Sequence, residues 1–115
     1  MKQEHGQITD VYVSGSYAYV TNGDYGLQIV NVSNPSAPIE TGFLDTPGYA
    51  DGVYVSGFYD YVADRAGGLR IINVANSAVP VEVGFYDTSD YIYYICVSGS
   101  YAYVENGSYV LRIIK

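Results

Sequence analysis

Apolar residues along the chain form short segments of the length of β-strands, with polar and turn-forming residues between them. Segments rich in Val, Ile and Tyr, such as VYVSG (11–15) and LQIVNV (27–32), are separated by Gly, Pro and Asn. β-branched and aromatic residues favour strands and Gly, Pro and Asn favour turns, while no window combines sustained helical periodicity with caps. The pattern therefore predicts an all-β chain.

The same pattern returns every 42 residues. GLQIVNVSNPSAPIETGFLDT (26–46) returns as GLRIINVANSAVPVEVGFYDT (68–88), and VLRIIK (110–115) begins it a third time. Between residues 11–46 and 53–88, 20 of 36 positions are identical. A fixed period of this size indicates stacked supersecondary units.

Each unit is predicted to contain four strands, a to d. In the first unit they cover about 8–14, 17–22, 26–32 and 38–45, and the second strand d covers about 80–87. Gly stands first in the two-residue loop between strands a and b of all three units, which suits a type II′ hairpin. Turn residues break the ladder between strands c and d, namely Pro35, Pro38, Asn76 and Pro80.

The predicted strands carry apolar residues on both faces, as strands covered on both sides do. Four-stranded antiparallel units that repeat at about 40–45 residues are blades of a β-propeller. We expect a single partial propeller over residues 1–115, with about 2.75 blades. Blade 1 covers about 8–46, blade 2 about 50–88, and blade 3 about 92–115 without its outer strand.

The motif V-x-V-S-G-x-Y-x-Y-V, followed by G-L-x-I-[VI]-N-V-x-N, resembles the LVIVD-repeat family of β-propeller proteins. It is carried by Val11 to Val20 and Gly26 to Asn34, and it recurs in the second unit. The resemblance covers nearly the whole chain from about Ile8 onward. It implies a repeat propeller of a kind often found in extracytoplasmic or cell-surface proteins, with no established shared catalytic activity.

Three blades do not close a ring, since propellers typically have about 4–8 blades. A lone copy would expose two apolar blade faces and long strand edges. Either the chain is part of a longer propeller, or copies complete one another. Two copies give six blades, so we expect a homodimer in which the chain itself is the partner.

Net charge and hydropathy argue against some classes of binding partner. The net charge of −7 argues against nucleic acid and anionic membrane surfaces, which attract basic proteins. No apolar run approaches the length of a membrane span, and the N-terminal MKQEHGQITD has no signal-peptide core. The single Cys96 excludes an intrachain disulfide and leaves the compartment undecided.

No residue pattern predicts catalysis or a bound cofactor. His5 is the sole histidine and lies in a polar terminal segment, where an imidazole is rarely positioned for chemistry. Cys96 is in phase with Tyr12 and Tyr54 inside strand a, which favours a small packing residue over a reactive thiol. We expect the tyrosines of strand b to fill the wedges between blades.

The loops between strands b and c, and between d and the next a, are expected to share one face of the propeller, where ligands usually bind. They combine acidic residues with tyrosines. The candidate binding residues are Asp24, Tyr25, Asp45, Tyr49, Asp51, Asp64, Arg65, Asp87, Tyr91 and Tyr109. Such carboxylates could hold Ca²⁺, although no D-x-D-x-D-G loop is present.

The sequence therefore favours a non-catalytic propeller scaffold whose loop face binds a protein or peptide. One alternative is a lectin-like propeller, in which loop tyrosines stack on sugar rings beside aspartate hydrogen bonds. A second alternative is a metal-assisted enzyme assembled across the ring. Near-identical blades disfavour the enzyme, because catalysis normally needs one asymmetric site.

Overall fold

The computed structural model describes residues 7–88, 91–106 and 111–114, which form three antiparallel sheets without a helix. Blade 1 contains β1 (Asp10–Ser14), β2 (Tyr17–Thr21), β3 (Leu27–Asn31) and β4 (Ile39–Leu44). Blade 2 contains β5 (Gly52–Ser56), β6 (Tyr59–Ala63), β7 (Leu69–Asn73) and β8 (Val81–Tyr86). Blade 3 contains β9 (Ile92–Ser98), β10 (Tyr101–Asn106) and β11 (Leu111–Ile114).

Strands pair in chain order within each sheet, as propeller blades require. The observed strands of the first two blades lie within two residues of the predicted limits. The first strands of successive blades contact one another, β1 with β5 and β5 with β9. The prediction of an all-β chain built from four-stranded propeller blades is confirmed.

The three a–b hairpins have the conformation that their glycines predict. Gly15, Gly57 and Gly99 have φ angles of 61°, 61° and 59°, whereas none of the residues that follow them has a positive φ. Ser14 pairs with Tyr17 across the first loop, so the loop contains two residues. A positive φ at the first loop position alone is the signature of a type II′ turn.

The c–d loops are built by asparagine side chains. The Oδ1 of Asn31 accepts a hydrogen bond from the Ser33 amide, and the Oδ1 of Asn73 accepts one from the Ala75 amide, both at 2.9 Å. Asn34 and Asn76 form the next turn in the same way. The two loops therefore share these bonds from backbone amides to asparagine side chains, although only the first has a proline after its second asparagine.

The hydrophobic cores lie between blades, and each blade contributes two different faces. We call the face toward the preceding blade the leading face and the face toward the next blade the trailing face. The first core joins the trailing face of blade 1 to the leading face of blade 2. Blade 1 supplies Tyr19, Leu27 and Ile29, and blade 2 supplies Val53, Val55, Val62 and Ile72.

The second core repeats this arrangement one blade later. The leading face of blade 3 contributes Ile95, Ala102 and Val104, and the trailing face of blade 2 contributes Leu69 with the partly buried Tyr54, Tyr61 and Ile71. Of the strand-b tyrosines, Tyr19 lies in the first core, as predicted for wedge-filling residues. Tyr59 and Tyr101 are exposed, because their positions lie beyond the contact with the neighbouring blade.

Candidate ligand-binding loop face

The b–c loop of one blade meets the d–a connection that leads into the next blade. Gly23 pairs with Ala50 in an antiparallel bridge between blades 1 and 2, and Arg65 pairs with Ile92 between blades 2 and 3. Two hydrogen bonds make the first bridge, at 3.1 Å and 2.9 Å. These contacts place the b–c and d–a loops together, as expected for the loop face of a propeller.

The buried side chain of Asp64 connects two loops of this face by hydrogen bonds. This fully buried side chain accepts a hydrogen bond of 2.6 Å from the Thr46 hydroxyl and one of 2.8 Å from the Gly48 amide. Burial raises the pKa of Asp64, and these two hydrogen bonds oppose that shift because they stabilise the carboxylate. A side chain at position 48 would collide with the Asp64 carbonyl oxygen. Asp64 therefore holds the connection between the first two blades and is not open to a ligand.

Arg65 has a backbone conformation that other residues avoid. Its φ of 49° makes it the only non-glycine residue in the left-handed region within the described part of the chain. The residue one repeat earlier is Gly23, with a φ of 55°, and the residue one repeat later is Gly107. A β-carbon in this conformation costs about 1–2 kcal/mol, so surrounding contacts must hold Arg65 in place.

Those contacts come from an ion pair and two aromatic rings. The Nε of Arg65 donates to Asp51 at 2.6 Å. The guanidinium carbon lies 4.1 Å from the centre of the Tyr49 ring and 5.3 Å from that of Tyr93, which is within the range of cation–π attraction. We call Arg65, Asp51, Tyr49 and Tyr93 the arginine clamp.

The other candidates of the loop face lie in more open positions. Asp24, Asp45 and Asp87 are exposed, as are the rings of Tyr25 and Tyr91. No hydrogen bond, ion pair or ring contact joins Asp24, Asp45 or Tyr91 to the arginine clamp within the described residues. Tyr109 lies outside the described residues. Four of the ten candidates, Tyr49, Asp51, Asp64 and Arg65, thus come together across the first two blades.

Some residues of this region carry roles that sequence reasoning did not assign. Tyr93 completes the arginine clamp, and Thr46 binds Asp64. The sequence signal for Thr46 was its return as Thr88 one repeat later. Tyr93 gave no such signal, because Asp51 and Thr9 occupy the same phase in the other repeats.

Asp60 is the most unusual acidic residue and lies away from the loop face. It is in phase with Ala18 and Ala102, on the leading face of blade 2. Its side chain is fully buried, and neither carboxyl oxygen has a hydrogen-bond partner. Burial raises the pKa of Asp60 to about 8, and Asp60 in turn contributes, after burial itself, to raising the pKa of Tyr19 on blade 1.

Residues that could bind a metal ion or take part in catalysis are otherwise dispersed in the described part of the chain. Among those residues, no group of three or more His, Cys, Asp or Glu side chains is arranged to hold a metal ion. The same residues include no helix that is long and apolar enough to cross a membrane. Cys96 is partly buried on β9, and His5 lies outside the described residues.

Comparison with protein families agrees with the repeat architecture. Two consecutive stretches, residues 5–46 and 47–88, match the family model of the LVIVD repeat. The chain belongs to the LVIVD-repeat family. Both matched LVIVD repeats end after a strand d, and the second begins in the d–a connection between blades 1 and 2, so the bond between Thr46 and Asp64 joins one repeat to the next. Neither the curated proteins nor the solved structures yield a match to this chain.

Proposed function

We propose that this LVIVD-repeat chain is a non-catalytic β-propeller scaffold whose loop face binds a protein or peptide. The observation that carries the proposal is the arginine clamp. An arginine stands in a left-handed conformation at a position that is Gly in both other repeats. Backbone strain of this kind is concentrated at functional sites, where neighbouring contacts stabilise it.

The geometry of the clamp supports binding because it leaves part of the guanidinium accessible. The Arg65 side chain is 38% exposed, and Asp51 engages its Nε. Within the described residues the two terminal nitrogens have no hydrogen-bond partner. Tyr49 and Tyr93 hold the guanidinium plane, so a carboxylate or a backbone carbonyl would meet a fixed donor pair.

The surrounding tyrosines support a peptide-sized ligand. Tyr91 is 53% exposed and stands on the d–a connection that precedes blade 3. Tyr25 extends from the b–c loop of blade 1 and is exposed as well. Tyrosine supplies a large contact area at low conformational-entropy cost, which is why recognition surfaces are rich in it.

The positions of the acidic residues with raised pKa values support a non-catalytic scaffold and not an enzyme. Asp60 and Asp64 are the two described carboxylic acids with a resolved upward shift, and both are fully buried. Asp64 binds Thr46 and Gly48, and Asp60 lies between two blades. A general acid or base must reach a substrate, and these two groups are enclosed by the protein.

Binding can be tested with a displayed library of random 12-residue peptides. We expect selected peptides to carry Asp, Glu or a free C-terminus beside an aromatic residue. Arg65→Gly should weaken their binding at least about tenfold, or about 1.4 kcal/mol, because it removes the donor pair. It should leave the fold intact, because Gly is the residue of the neighbouring repeats and accepts a left-handed φ.

The matched control is Arg70→Gln. It removes the same charge and also introduces the residue of the first repeat, Gln28, but Arg70 pairs with Glu82 on the outer part of blade 2. We expect it to change peptide affinity less than about twofold. Equal affinity of both variants, or a reproducible hydrolase activity that is lost when a loop aspartate is replaced, would overturn the proposal.

A lectin-like function is the second candidate. The exposed ring of Tyr91 and the exposed carboxylates of Asp45 and Asp87 are the groups that stack on and hydrogen-bond to sugars. A glycan array probed with folded protein separates the two candidates. Selective retention of one glycan class that is lost in Tyr91→Ala would favour the lectin, whereas an array without binding would leave the peptide-binding scaffold.

A further inference from the structure

In the part of the chain that the structure describes, two blade faces lack a neighbouring blade. The leading face of blade 1, which we call the valine face, contains Val11, Val13, Ala18, Val20 and Val30. Val11 and Val13 are 53% and 61% exposed, whereas Val53 and Val55, their counterparts in blade 2, are 4% and 6% exposed. On the first strand, the same residue types at the same register are thus buried in blade 2 and open in blade 1, whereas Ala18, Val20 and Val30 are buried in the single copy as well.

The trailing face of blade 3 is the other open face. It contains Tyr94, Cys96, Tyr101 and Tyr103, which we call the tyrosine face. Tyr101 pairs with Ser98 and Tyr103 with Cys96 across strands β9 and β10. Tyr94 is 56% exposed. By contrast Tyr19, on the trailing face of blade 1, is buried against blade 2.

The two internal blade contacts show what covers such faces. In each contact a trailing face rich in Tyr, Leu and Ile packs on a leading face rich in Val, Ile and Ala. A groove of about 320 Å³ lies on the valine face between Ala18, Val20, Val30, Val32 and Pro38. The equivalent positions of blade 2 include Val62, Ile72 and Val74, which blade 1 buries.

We infer that a second copy of this chain covers both faces, with the tyrosine face of each copy packed on the valine face of the other. Each such contact would reproduce the internal blade contacts with residues of the same phase. Two contacts of this kind, related by a two-fold axis, join three blades to three and complete a six-bladed ring. This inference rests on the blade faces and is independent of the arginine clamp.

The solution mass, measured by light scattering on a size-exclusion column over a range of concentrations, tests the inference. We expect twice 12.5 kDa for the unchanged protein. Val13→Lys should shift the mass to that of a single copy, because the two-copy contact would bury the lysine charge in an apolar interface. In a free copy the lysine would point to water, so the variant should keep its fold.

Val83→Lys is the matched control for this experiment. Val83 is 54% exposed on the outer strand β8, so the substitution adds the same charge at similar exposure but away from both faces. Tyr94→Lys, on the opposite face of the interface, should dissociate the ring as Val13→Lys does. A single-copy mass for the unchanged protein, or an equal effect of Val83→Lys, would overturn the inference.

Discussion

At the scale of single residues, Asp60 is the clearest departure from the repeat. Two of the three repeats have alanine at this phase, Ala18 and Ala102, where the side chain lies on the leading face of the blade. An acid there has no hydrogen-bond partner, and a buried polar group without a partner costs about 1–3 kcal/mol. The acid remains largely neutral near pH 7 because burial raises its pKa to about 8.

Asp60→Ala is expected to raise the free energy of unfolding by about 1–3 kcal/mol near pH 7. The substitution should also make the free energy of unfolding less dependent on pH. The folded pKa of about 8 exceeds the ordinary value of 3.8, so the contribution of Asp60 to stability is full below about pH 4. It declines between about pH 4 and about pH 8, at up to about 1.4 kcal/mol per pH unit, and stays constant above that range.

Urea denaturation between pH 5 and pH 9, at fixed protein concentration, measures both effects. Asp60→Asn is the control, because it keeps the buried polar group but does not ionise. It should give a curve as flat as that of Asp60→Ala at a lower stability. Parallel pH curves for the unchanged protein and Asp60→Ala would show that Asp60 is not the titrating group.

Sequence phase alone marks Asp60 as unusual, but the sheet register is needed to show that it faces inward. The arginine clamp is harder to predict. Its members Tyr49, Arg65 and Tyr93 come from three separate loops and strands, and their meeting depends on how blades pack. The sequence places Asp64 and Asp45 in loops of the same kind, so it does not show that Asp64 is buried and Asp45 is exposed.

At the scale of elements, the hairpins and c–d loops follow directly from local sequence. The glycine of each a–b loop has a positive φ because a two-residue type II′ turn requires it, and the requirement involves no distant contact. Asn31 and Asn73 fix the start of the c–d loops by bonds to residues two positions ahead. Such local determinants are the part of a fold that a sequence predicts best.

Gly57→Ala is expected to lower the free energy of unfolding by about 1–2 kcal/mol. A Cβ at this position would meet nothing within 4 Å, so the cost comes from the φ of 61° alone. Gly84→Ala is the matched control on strand β8. Its Cβ would make an ordinary contact, 3.8 Å from the Ile71 Cδ1, and its φ is not left-handed.

We expect Gly84→Ala to leave stability unchanged or to raise it by up to about 1 kcal/mol, because alanine restricts the unfolded chain. Thermal and urea denaturation of the two variants measure the difference. If both substitutions destabilised the protein equally, the type II′ assignment of the hairpin would be contradicted.

At the scale of the whole molecule, the repeat determines how blades pack on one another. The period of 42 residues predicted both the sheets and their order, because each blade must bury two apolar faces. The pairing of a tyrosine-rich trailing face with a valine-rich leading face emerged only from the structure. Apolar residues at both odd and even positions of a strand show that both of its faces are apolar. They do not show which face packs on which neighbouring blade.

The proposed ring requires equivalent contacts at every blade boundary, and one pair of positions tests this requirement. The rings of Tyr12 and Tyr54 lie 4.9 Å apart on the first strands of blades 1 and 2. A hydrogen bond with Tyr12 is the main cause that raises the pKa of Tyr54, and Cys96 on blade 3 is one of the smaller contributors. In the proposed two-copy ring, the series Tyr12, Tyr54, Cys96 would bring Cys96 of one copy beside position 12 of the other.

The decisive measurement is short-span bis-maleimide crosslinking of the Tyr12→Cys variant, followed by mass spectrometry of the linked peptides. We expect a covalent dimer of twice 12.5 kDa whose links join position 12 of one copy to Cys96 of the other. Tyr12→Cys combined with Cys96→Ser should lose those links. Dimers linked only between like positions, 12 to 12 or 96 to 96, or no dimer at all, would contradict the head-to-tail ring.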